Sequence, residues 1–344
     1  MADQRAPAGV GEIKPVTPPE GLSQFLARIL DQLSLSSWLP AALVASVGAV
    51  ILELRSQTEI DVAQAVMDLT AKPLGVLVVA VFAVLALTML LQAFELTAIR
   101  LLEGYWPPFA SAIGLTGLMV RFHLWRQDWL RSRLVTRRIA AFRSAREDML
   151  DIGVDKAVLE FLRVSAAGET FRSRPPADVI AAGEAINWRE YSNPALLRSF
   201  EAVERALSGY PKRHRTMPTR LGNTLRAVED EIANQGDGPL RTFVIRNWHL
   251  LPLEIRVMHD QYRNRLDLYC TLVFVCGGIA AGGGALLGTV DHGVTAAWVV
   301  FSSFALCSLA CYRAGITSAG GYTAALQAID AEVGRINGQT ATAT

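Results

Sequence analysis

The chain has 344 residues, 51% of them hydrophobic and 19% charged, with a mean hydropathy of +0.28. A charged share below the roughly one quarter of a soluble domain argues for a membrane protein. The formal net charge of +1 points to no polyanionic partner, and no nucleic acid is expected.

Residues 1–20 ("MADQRAPAGVGEIKPVTPPE") are Pro-rich and slightly acidic and lack a basic start followed by an apolar core. They read as a disordered tail rather than a signal peptide. Four apolar stretches follow an amphipathic lead-in: about 36–53, 73–94, 268–290 and 294–312. A bilayer core of about 30 Å needs around 20 apolar residues per helix. The second and third stretches meet this, and the first and fourth are shorter but free of charge in their interiors. All four read as transmembrane helices.

Their orientation follows from the basic residues. The loop 55–72 has only Arg55 and Lys72 against Glu59, Asp61 and Asp68, and the turn "DHG" at 291–293 has no Lys or Arg. The arginines lie in the middle region and just after the fourth stretch. Both termini and the middle region are therefore expected in the cytoplasm. Lysine occurs only at positions 14, 72, 156 and 212, a bias of GC-rich bacterial coding.

The second stretch carries Thr88, Gln92 and Glu95 at spacings of 4 and 3, a polar stripe on one helix face. One reading has Glu95 at the membrane edge and Gln92 bonded to a neighbouring helix. The other has the stripe line the cytoplasmic mouth of a pore, with Glu95 as a cation-attracting ring. Glu53, at the end of the first stretch, reads as interfacial.

From 107 to 146 there are eight arginines and one acid, Asp128. The opening segment 109–120 is too short to span. Phe122, Trp125 and Trp129 recur at helical spacing among Arg121, Arg126, Arg131 and Arg133. Such a helix is either solvated or lies along anionic lipid headgroups, the nearest polyanion. Further on, Leu196, Phe200, Val203 and Leu207 define one amphipathic helix ended by Gly209, and Leu221, Leu225, Val228 and Ile232 another, with Thr219 as candidate N-cap. No alternating strand pattern and no 20–50-residue repeat is visible.

The third stretch contains "GGIAAGGGALLG" at 277–288. Glycine costs a soluble helix roughly 0.5–1 kcal/mol. In lipid, close backbone approach is what joins helices, and small residues permit it. Gly277, Ala281, Gly284 and Gly288 form one small stripe, and Gly278, Gly282, Ala285 and Thr289 its neighbour. The face packs within the chain, against another subunit, or as the smooth wall of a pore. After the fourth stretch, Ala319, Tyr322, Leu326, Ile329, Val333 and Ile336 form a heptad-like seam suited to assembling subunits.

The cysteines lie at two depths, Cys270 and Cys311 near the cytoplasmic ends of their helices and Cys276 and Cys307 deeper. They read as small apolar packing residues, with a thiol switch or soft-metal site as the sharper alternative. No CxxC, HExxH, GxSxG or P-loop is present and the five histidines are scattered. No catalytic residue, no metal and no cofactor is expected, and the chain does not read as an enzyme.

Three blocks, "AFELTAIRLLEGYW" (93–106), "MPTRLGNTLRAVEDEI" (217–232) and "NWHLLP" (247–252), resemble a group of multi-pass membrane proteins of actinobacteria, most specifically in Arg220-Leu221-Gly222-Asn223. The resemblance implies a membrane class and no activity. Gly222 on a helix suggests close backbone contact. Arg220, Asn223 and Arg226 are expected to face the extension of the second stretch, with Glu103 as partner.

These readings combine into an all-α integral membrane protein. Four transmembrane helices, two plus two, flank a helical cytoplasmic domain over 107–267, and a cytoplasmic helix and tail occupy 313–344. The leading expectation for function is a homo-oligomeric pore tuned by that domain, in a bacterial plasma membrane. The alternative is a non-conducting anchor or scaffold whose domain senses or recruits a partner. The partners expected are the bilayer, its anionic headgroups and further copies of the chain.

Overall fold

The computed structural model describes residues 35–57, 59–232, 240–290 and 293–342. The expected tail, the lead-in before residue 35 and two turn residues, Asp291 and His292, lie outside the described residues. Among the described residues every regular element is helical.

Helix α1 (Leu35–Ser56) is followed by α2 (Val62–Thr70), a short element in the loop before the second apolar stretch. The Asp61 carboxylate starts α2 by accepting the backbone N–H groups of Ala63 and Gln64 at 2.8 and 3.1 Å. Ala65 is fully buried, and Lys72 pairs with Glu53 at 3.2 Å. Helix α3 (Leu74–Glu103) begins after Pro73 and stops at Gly104, whose φ of +103° ends the helix in the left-handed region.

Two prolines and the short α4 (Pro108–Ala112) turn the chain into α5 (Leu115–Asp151). Helix α6 (Lys156–Ala167) folds back on the far end of α5. There Phe142, Ala145 and Met149 meet Val158, Leu159 and Leu162 in a core of their own. Helices α7 (Ala177–Ala185) and α8 (Pro194–Ser208) complete that lobe, and α8 packs along α5.

Helices α9 (Arg220–Ile232) and α10 (Leu240–Asn247) precede a long pair, α11 (Leu253–Gly288) and α12 (Val294–Thr342). At 1.5 Å per residue these two are about 54 and 74 Å long, well beyond the roughly 30 Å of a bilayer core. Four helices, α1, α3, α11 and α12, are long and apolar enough to cross a membrane.

Helix α11 is the centre of the apolar bundle, packing on α12, α1 and α3. Ile51, Leu54, Val275, Ile279, Leu287 and Ala297 form its core. The surplus length of α12 serves a second purpose. Its seam residues Leu326, Ile329 and Val333 are buried against Val228 and Ile232 of α9, Val244 of α10 and Leu251. The heptad-like seam thus finds its partners within the same chain.

Candidate functional site

The polar stripe of α3 lies where α3 packs on α1 and α11. Thr88 is 1% exposed and its hydroxyl donates to the Val84 carbonyl at 2.7 Å. Gln92 and Glu95 are half-buried. Beside them Phe94 meets Phe274 of α11 edge-on, ring centres 5.4 Å apart. The opposite side of α3 is apolar and bare, with Val79, Phe82, Met89 and Leu90 exposed. The helix therefore turns its polar atoms to its own chain.

The glycine-rich face of α11 divides by neighbour. A Cβ built on Gly284 meets Phe301 at 3.3 Å, and one on Gly277 or Gly288 meets Ser308 or Ala297 of α12 at ordinary contact distance, 3.8 Å in each case. The tightest fit is at Gly283, whose Cβ would lie 2.6 Å from Ile51 of α1. This residue lies outside both small stripes read from the sequence. Gly278 and Gly282 have nothing within 4 Å, and they line an open apolar groove of about 460 Å³ between α1, α3 and α11. Ala281 is exposed beside a second groove shared with α12.

Helix α5 carries two faces. His123, Gln127 and Leu130 are buried against the segment after α8. His123 Nδ1 lies 3.1 Å from the Tyr210 hydroxyl, and the Gln127 side-chain amide donates to the Pro211 carbonyl at 2.9 Å. Burial holds the His123 imidazole below its ordinary pKa, with the charges of Arg126 and Arg220 acting in the same direction. The other face carries Leu118, Phe122, Trp125 and Trp129, which are 61, 45, 62 and 40% exposed. Their spacings of 4, 3 and 4 set them in one stripe on the helix. At 100° per residue, Arg121 falls on one side of that stripe, and Arg126 and Arg133 on the other. The Arg133 guanidinium sits 4.2 Å from the centre of the Trp129 ring. Arg131 turns away from the stripe, and Asp128, on the same flank as Arg121, has its carboxylate paired with Arg213.

The closest joint between the apolar helices and the middle region is at the end of α3. Gly222, in the first turn of α9, lies so close to the Glu103 carbonyl that an added Cβ would sit 1.9 Å from its oxygen. Gly104 meets Pro218 in the same way, at 2.5 Å. The chain can turn at this spot because Thr219 caps α9, its hydroxyl accepting the Gly222 N–H at 3.0 Å. Asn223 is fully buried and braces the loop that leads in. It accepts the Met217 N–H at 2.8 Å and donates to the carbonyls of Met217 and Thr219 at 2.9 and 2.7 Å.

The contact expected of Glu103 is thus made by backbone atoms. Of the block's polar side chains, Arg226 does face the extension of the second stretch, through Tyr105, whereas Arg220 goes elsewhere. The Arg220 guanidinium lies 5.3 Å from the centre of the Tyr210 ring. Arg226 donates to the Tyr105 hydroxyl and lies 3.5 Å from Glu229. Tyr105 and Tyr210 were not singled out from the sequence, though a tyrosine beside an arginine-rich block is a signal for such pairing.

Next to this joint is a cavity of about 560 Å³ lined by both apolar and polar side chains. Glu103, Glu229, His259, Arg263 and Tyr322 line it. The His259 ring is 5.2 Å from both Trp248 and Tyr322, and Arg263 bonds Asp267 at 3.2 Å. These residues come from α3, α9, α11 and α12, so no local motif announces them. No family model, no curated protein and no solved structure matches the chain.

Proposed function

We propose that the chain is a non-conducting, non-catalytic membrane anchor whose helical domain works as a scaffold on the cytoplasmic surface of a bacterial plasma membrane. In this reading the four apolar helices cross as two pairs flanking the domain, and both termini face the cytoplasm. The basic residues support the sidedness, since the two connecting loops are poor in them and the domain is rich. The aromatic stripe of α5, flanked by arginines, suits a helix lying along anionic headgroups.

The observation that carries the non-conducting reading is the burial of Thr88, with Gln92 and Glu95 in the same packing. A ring of subunits that lines a pore with α3 needs those groups on an open face. The backbone contact at Gly222 supports the scaffold side, because it ties the domain to α3 without a flexible joint. Reconstituted proteoliposomes loaded with a potassium gradient test it. The proposal expects leakage equal to that of empty vesicles. Flux that falls with Gln92→Ala or Glu95→Gln would refute it.

A homo-oligomeric pore is the second reading, favoured by Gly278 and Gly282. Both are bare and line a groove with room for a neighbouring helix. Substitution of Gly282 by Leu separates the two readings, as set out below.

A further inference from the structure

Three of the four cysteines of the chain meet at one place. The sulfurs of Cys276 on α11 and of Cys307 and Cys311 on α12 all lie within 4.8 Å of one another. Residues four apart share a helix face, which stacks Cys307 over Cys311. The antiparallel register of α11 then sets Cys276 against both. Cys270 is elsewhere, packed with Ile99, Leu221 and Ala319. Cys276 is buried, Cys311 half-buried and Cys307 exposed. Ser308 ties the two helices beside the cluster, donating to the Val273 carbonyl at 2.8 Å.

Bonds of about 2.3 Å from a central atom place three sulfurs roughly 3.5–4 Å apart, so small rotations of these side chains would close the site. Three sulfurs, grouped with no further Cys, His, Asp or Glu among the described residues, suit a soft ion that accepts three ligands. The surroundings choose among such ions. Copper(I) on three thiolates carries two negative charges, and zinc(II) carries one and wants a fourth ligand. A net charge among apolar helices is costly.

We propose that Cys276, Cys307 and Cys311 form a binding site for a trivalent, thiophilic metalloid of the arsenite type. Arsenous acid is neutral, and so is its product with three thiols. As(OH)₃ and three R–SH condense to As(SR)₃ and three H₂O. Each step forms one As–S bond and breaks one As–O bond, and the thiol proton leaves on the departing hydroxide as water. Arsenic stays trivalent, so no oxidant or reductant is involved. Bound arsenic would lock α11 to α12, and α12 carries the seam on which the domain packs.

The test uses the reduced full-length protein in lipid nanodiscs with sodium arsenite as probe. Free thiols are counted and arsenic X-ray absorption gives the number of sulfur neighbours. The proposal expects one arsenic per chain, three sulfur neighbours and the loss of three of the four thiols. Cys270→Ala should bind as the parent does. Cys307 is exposed, so Cys307→Ala leaves the packing intact. Losing a direct ligand should exceed the roughly tenfold to hundredfold cost of losing an outer-shell partner, so this variant should bind more than about a hundredfold more weakly. Two sulfur neighbours, unchanged binding by Cys307→Ala, or no arsenic retained would each overturn the proposal.

Discussion

An alanine at position 222 would add a Cβ 1.9 Å from the Glu103 carbonyl oxygen. In an open helix the same change stabilises by up to about 1 kcal/mol. Here backbone faces backbone and neither side can rotate away, so the overpacking cost of about 1–3 kcal/mol or more decides the sign. Gly222→Ala should lower the thermal midpoint of the purified protein, and an unchanged or raised midpoint would remove the joint from the account. His123 gives a pH-dependent counterpart. Its pKa is lowered by burial from the ordinary 6.5, so the folded state prefers the neutral ring. The unfolded chain then binds the proton first as pH falls below about 6.5, and stability is lost in that window. The midpoint should drop between pH 7.5 and pH 5.5. His123→Gln should drop less, and an equal drop would mean that His123 is not the group responsible.

At the scale of elements, the glycine face and α5 make opposite demands. Gly283 lies 2.6 Å from Ile51 once a Cβ is added, whereas Gly282 meets nothing within 4 Å. Gly283→Val should therefore destabilise, and Gly282→Leu should leave both midpoint and subunit number unchanged. A loss of oligomer on Gly282→Leu would favour the pore reading. For α5, brominated lipids should quench Trp125 and Trp129 in vesicles rich in anionic lipid. Each arginine near such a surface contributes about 1 kcal/mol. Reversing Arg121 and Arg126 to Glu should thus lift much of that quenching. Quenching that is absent in the parent protein would place the stripe away from the bilayer.

What could be read in the sequence at this scale follows from periodicity. Apolar length marks the four long helices, and the 4-3-4 spacings mark α8 and α9. Spacing fixes a face but not the partner of that face. The α12 seam has heptad character, yet it meets α9 and α10 rather than a second copy. The small residues at 277–288 divide between an occupied side and an empty one, which depends on where α1 crosses. Helix α2 was missed because nine residues between turn-forming segments carry too little periodicity to stand out. The charges over 253–267 hide the fact that α11 starts a long way before its apolar part.

For the whole molecule, the all-helical class and the four long apolar helices were legible because hydropathy alone carries them. The cavity beside Glu103 was not, since its walls come from five helices, α3 and α9 to α12. The account's central claim is a self-contained bundle, in which the polar atoms of α3 and the seam of α12 are satisfied within one chain. Native mass spectrometry of the protein in lipid nanodiscs tests this most directly. The account predicts a monomer or at most a dimer. A closed ring of four or more subunits would contradict it.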